Sequence, residues 1–128
     1  FQCTVTDSAS TSVTVGTVTI SVAYNAPSLS ISLSQYTSSA SGLAGSTLTA
    51  TPSITATPSG GIAPYTYAWT YVSGDTGIYM TSTTSSTGQF NRNSIVVAFY
   101  DGNWKCTVTD SVGQTAISNT VYVSFDFT

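Results

Sequence analysis

Nine residues near the start of the chain recur near its end. Phe1-Gln-Cys-Thr-Val-Thr-Asp-Ser-Ala9 aligns with Trp104-Lys-Cys-Thr-Val-Thr-Asp-Ser-Val112. The agreement continues as Thr17-Val18 falls on Thr120-Val121 and Ser21 on Ser124. The offset is 103 residues throughout, without a gap. That spacing is the length of one ordinary domain. The chain therefore reads as the closing part of one module, residues 1–25, followed by a whole second module, residues 26–128. Asn25-Ala-Pro27 marks the boundary, and a linker this short keeps neighbouring modules close.

The repeated segment alternates. Cys3 and Val5 point one way and Gln2, Thr4 and Thr6 the other, the period of two expected of a half-buried strand. Val13–Tyr24 continues it, with Val18, Ile20 and Val22 on one face, so the two runs predict a β-hairpin turning at Ser8–Ser12. Further strands are predicted at Ser28–Leu33, Thr47–Thr57 with a break near Pro52, Tyr65–Val72, Ile78–Thr81 and Ser94–Phe99. Trp104–Thr109 and Thr115–Phe125 form the closing hairpin. Ser38–Gly45 and Thr81–Thr87 are predicted loops, and Asp101-Gly102-Asn103 a tight turn. No segment shows the spacing of an amphipathic helix.

Composition narrows the function classes. Charged residues are 5% of the chain, against about a quarter in an average domain. Ser and Thr make up about a third, so hydroxyls supply the polarity. Arg92 and Lys105 are the two cations, too few for nucleic acid, which needs clustered basic residues. No apolar run reaches the roughly 18 residues of a membrane span. His and Glu are absent. Acid–base catalysis then has only five Asp to draw on, and a Cys nucleophile has no His to activate it. No catalytic residue is assigned. Zinc lacks ligands, calcium would need Asp101, Asp110 and Asp126 to converge, and no metal or cofactor is expected. Asp7 and Asp110, equivalent in the repeat, read as turn residues.

Asp101-Gly-Asn-Trp-Lys-Cys-Thr-Val-Thr-Asp110 resembles the sixth strand of immunoglobulin-like domains, whose pattern is Asp-x-Gly or Ala-x-Tyr-x-Cys. Gly60-Gly-Ile-Ala-Pro-Tyr-Thr-Tyr-Ala-Trp69 is similar to the second turn and third strand of PKD-type domains. The resemblance implies an antiparallel immunoglobulin-like or PKD-like β-sandwich of about seven strands over residues 26–128. It implies that Trp69 is the core Trp between the sheets, in a layer with Trp104, Cys106 and Val108. Trp104 stands where the family carries a Tyr, and Thr55 or a near neighbour where the first bridging Cys would be. Cys106 is then a small buried hydrophobe, and so is Cys3 if its own module is whole. A sandwich without a disulfide suits synthesis in a reducing cytosol.

Ser/Thr-rich, charge-poor modules with a lone sixth-strand Cys resemble those on phage virion proteins. The expectation placed first is a non-enzymatic structural or adhesion module in a repeat array on a virion surface, its partners other virion or surface-protein subunits. The second is a carbohydrate-binding accessory module of a bacterial surface protein or secreted enzyme, extracellular, with glycans as partners. Tyr65, Tyr67 and Tyr71, on the face of Trp69, are its candidate ligand contacts. A third is an assembly subunit that pairs through an open sheet edge along Val13–Tyr24.

Overall fold

The computed structural model describes residues 3–17, 19, 21 and 25–128. Every regular element among them is a β-strand. β1 (Cys3–Thr6) and β2 (Ser12–Val15) form an antiparallel hairpin, with Cys3 opposite Val15 and Val5 opposite Val13. Hydroxyl pairs cover its other face, Thr4 with Thr14 and Thr6 with Ser12. The expected continuation through Val18, Ile20 and Val22 lies outside the described residues.

Residues 26–128 fold into two layers. One contains β4 (Thr37–Gly42), β7 (Thr66–Gly74), β11 (Ala98–Thr109), β12 (Thr115–Ile117) and β13 (Val121–Phe127). β11 is its centre. It pairs antiparallel with β7 on one edge and with β13 and β12 in succession on the other. β4 lies outside β13 and pairs with it in parallel. The second layer joins two ladders. β3 (Ser30–Leu33), β6 (Ile54–Ser59) and β9 (Thr87–Gly88) form the first. β5 (Thr47–Thr49), β10 (Phe90–Asn93) and β8 (Tyr79–Met80) form the second. A backbone bond from Ala50 N–H to Phe90 C=O, 2.9 Å, carries one ladder toward the next. β5 and β6 are one strand interrupted at Pro52, β9 and β10 one strand interrupted at Gln89, and β12 and β13 one strand interrupted at Ser118–Thr120. Taken so, eight strands make up the sandwich among the described residues; β4 and the β9–β10 strand were not expected, and the expected strand at Ser94–Phe99 is not a separate one, its last two residues being the start of β11.

Alternation builds the core. Val121, Val123, Phe125 and Phe127 point inward from β13, and Trp104, Cys106 and Val108 from β11. Ile54, Ala56 and Phe90 answer from the other layer. Full burial of Phe125 or Phe127 contributes about 1.5–3 kcal/mol each. Phe90 ties the two indoles, lying 5.9 Å from Trp69 edge-on and 5.6 Å from Trp104.

Three expectations are corrected. Ser38–Ser41 is not loop but the middle of β4, where Ser38 is buried and its Oγ donates to Pro52 C=O at 2.7 Å. Asp101-Gly102-Asn103 is not a turn but lies inside the twelve-residue β11. Gly102 serves close packing there: a Cβ would sit 3.1 Å from Ile78 Cδ1. Ser94–Val97 is not strand but an exposed loop, and β11 begins only at Ala98. Thr55 is exposed, and its neighbours Ile54 and Ala56 face the core instead.

The layers have two ends. The chain passes Pro27 at one pole, beside Gly60–Ile62 and the turn at Asp110. It reaches Thr128 at the other, beside Gly42–Gly45 and Ser94.

Candidate functional site

The tyrosines of the aromatic strand do not form a row. Trp69 is buried opposite Cys106, and its Nε1 donates to Ser85 C=O at 2.9 Å. Tyr67 is half-buried against the core, opposite Val108. Tyr71 lies 41% exposed and meets Trp104 edge-on at 5.9 Å. Its hydroxyl donates to Gly74 C=O at 2.7 Å. Tyr65 precedes the strand and donates to Gly60 C=O at 2.8 Å. Tyr67 and Tyr71 thus share the side of Trp69, and the Tyr65 and Tyr71 hydroxyls are used by the fold's own carbonyls.

Cys106 and Cys3 are both free thiols. Cys106 is fully buried. Burial pushes its pKa from 9.0 to about 11, against a smaller lowering by a backbone hydrogen bond at Ala68. Such a thiol stays protonated at neutral pH and is no nucleophile. Cys3, on the hairpin, is exposed.

Asp110 organises the Pro27 pole. Its Oδ1 accepts from Val112 and Gln114 N–H at 3.0 and 2.8 Å. Its Oδ2 accepts from Ile62 N–H at 3.0 Å and from Gln114 Nε2 at 3.1 Å. Burial raises its pKa, but hydrogen bonds from Gln114, Ile62 and Val112 outweigh that and leave it below the ordinary carboxylate value. Asp7 makes the same turn in the hairpin, its Oδ1 accepting from Ala9 and Thr11 N–H, both at 2.9 Å. Asp101 instead accepts the Tyr122 hydroxyl at 2.9 Å, and that bond raises the Tyr122 pKa. Asp110 and Asp126 lie at opposite ends of β11. Among the described residues no three His, Cys, Asp or Glu side chains gather into a metal site.

Two hollows remain. An open groove of about 770 Å³ runs where β4 and β5 splay apart, lined by Ser39, Ser41, Thr47, Thr49 and Asp126. A smaller one of about 460 Å³ lies beside Arg92, Ser94 and Tyr100. Arg92 is occupied within it: Nε is 3.0 Å from Asp75 Oδ1, and the guanidinium sits 4.1 Å over the Tyr100 ring. Neither hollow was foreseen in the sequence. The groove depends on a parallel strand that a Ser-rich segment does not announce.

The two layers, with β11 central in one, define an immunoglobulin-like β-sandwich module. Among solved structures the chain is similar to a nucleoside hydrolase-related hypothetical protein from Saccharophagus degradans that is associated with carbohydrate metabolism. The TM-score is 0.50 at 12% identity, over 79% of this chain and 26% of that one. The chain thus spans about a quarter of that protein's length. It is also similar to the PKD domain of human KIAA0319, with TM-score 0.49 and 17% identity over 87% of this chain and 92% of that one. No protein-family model matches the chain, and no curated protein matches it in sequence. Likeness at these identities concerns the fold alone.

Proposed function

We propose that this chain is a non-enzymatic structural module of a tandem array, exposed on a virion surface and partnered by other virion subunits. The observation that carries the reading is the hairpin made twice. At both copies Asp N–H donates to the C=O four residues on, and the residue three on donates back. Positive φ falls at the same place, Ser10 at 64° and Gly113 at 87°. In the first copy Cys3, Val5, Val13 and Val15 share one exposed apolar face. Their counterparts Cys106 and Val108 are covered by an opposing sheet. The hairpin therefore suits a second sandwich. Free cysteines and a hydroxyl-rich, charge-poor surface favour assembly from a reducing cytosol. Peptide mass spectrometry of the native parent protein tests this. The expected result is sandwich repeats upstream of Phe1 and co-purification with capsid or tail subunits. A catalytic domain or secretion signal there would overturn it.

The hydroxyl-lined groove with Asp126 favours a second reading, a carbohydrate-binding accessory module. It rests on the groove and not on Tyr65, Tyr67 and Tyr71. Titration with oligosaccharides should shift amide resonances of Ser39–Ser41 and Thr47–Thr49. No shift at millimolar sugar removes it.

A further inference from the structure

The apolar run Ile95-Val96-Val97, which alternation assigns to a strand, is left in solvent. Ile95 is 90% exposed, Val97 74%, Phe99 59% and Leu43, on the adjoining loop, 72%. The segments that carry them meet at the Thr128 pole and are tied by backbone bonds. Gly45 N–H donates to Ser94 C=O at 2.7 Å and Ala44 N–H to Thr128 C=O at 3.1 Å. Ser94 Oγ accepts from Val96 N–H at 3.2 Å and donates to Val96 C=O at 3.0 Å. A rigid apolar end on a chain whose other long loop, Thr81–Thr87, is all hydroxyl marks an interaction surface.

The internal junction identifies its occupant. The 103-residue offset places Asn25 on Thr128, so in sequence the equivalent of Thr128 stands two residues before Pro27. Two residues span at most about 7 Å. In a tandem array a Thr128 pole is then tethered to the next module's Pro27 pole by at most about 7 Å of chain. The Pro27 pole offers an apolar counterpart: Ala63, Pro64 and Val112 are exposed, beside half-buried Ile62. We infer that the Thr128 pole is the seat of the Pro27 pole of a following module of the same kind, with Ile95, Val97, Phe99 and Leu43 as the contact. The inference rests on the tandem-array reading and names the surface that fixes the angle between modules.

The test extends the full chain after Thr128 with a second copy of residues 26–128. Hydroxyl-radical labelling is compared between the extended protein and the chain alone. Labelling of residues 95–99 falls in the extended protein, and V97D in the first module restores it. Unchanged labelling with both modules folded overturns the inference. Should the second copy not fold, the chain alone decides: labelling of 95–99 then falls as concentration rises, and no fall overturns the inference. Either overturning result leaves the array itself to be judged by the parent protein's peptides.

Discussion

At the scale of single residues, the two tryptophans differ in one hydrogen bond. Trp69 Nε1 reaches Ser85 C=O, whereas Trp104 Nε1 is buried with no acceptor among the described residues. The repeat carries Phe1 at the position of Trp104. Trp69→Ala should cost about 3–5 kcal/mol. Trp69→Phe should cost about 1 kcal/mol more than Trp104→Phe, because it strands the Ser85 carbonyl. Urea unfolding of both variants decides; equal losses would remove the distinction. Cys106 supplies a second test. Iodoacetamide at pH 8 should modify Cys3 in the folded chain and reach Cys106 only in denaturant. With the thiol raised from 9.0 to about 11, the unfolded chain gives up this proton first. Stability should therefore fall as pH rises between those values.

At the scale of elements, the Asp110 turn governs the Pro27 pole. Its folded pKa is lowered, so its stabilisation is whole above the unfolded value of about 3.9 and is lost as pH falls through the folded one. Asp110→Asn should flatten the acid limb of a stability–pH curve. It also turns an amide donor toward Ile62 N–H or Gln114 Nε2, so stability drops at pH 7 as well. Gly113→Ala forces a side chain to φ 87° and should cost about 1–2 kcal/mol by thermal unfolding. Turn chemistry of this kind was legible in the sequence, since Asp followed by small residues has a local cause. So were the alternating strands around Trp69, Trp104 and Cys106. β4 was not, because Ser38–Ser41 has no pattern of its own and is held extended by its bonds to β13 and to Thr51. Asp101-Gly102-Asn103 misled for the opposite reason: a turn sequence is held in strand by β7 and β13 on either side, with a register shift against β7 between Asn103 and Trp104. Alternation along β7 groups Tyr67 and Tyr71 with Trp69, and Tyr65 precedes the strand. That the fold would use the Tyr65 and Tyr71 hydroxyls depended on loops no local pattern specifies.

At the scale of the whole molecule, charge does little. Asp75–Arg92 is the ion pair among the described residues. The thermal midpoint at pH 7 should move little between low salt and 0.5 M NaCl, about a Debye length of 4 Å at the upper end. A large shift would mean that surface charge matters more than the packed layers. The hydroxyl surface, the apolar Thr128 pole and the Asp110-braced Pro27 pole then divide the molecule into a hydrated flank and two ends of different character.

The parallel pairing of β4 with β13 has a consequence under tension. In an array pulled end to end, load enters near Pro27 and leaves at Thr128. β4 is drawn toward one end and β13 toward the other, along the ladder that joins Thr37–Gly42 to Tyr122–Phe127. Its hydrogen bonds are then sheared together and not peeled one at a time. The strand least visible in the sequence becomes the clasp that sets the force at which the module opens.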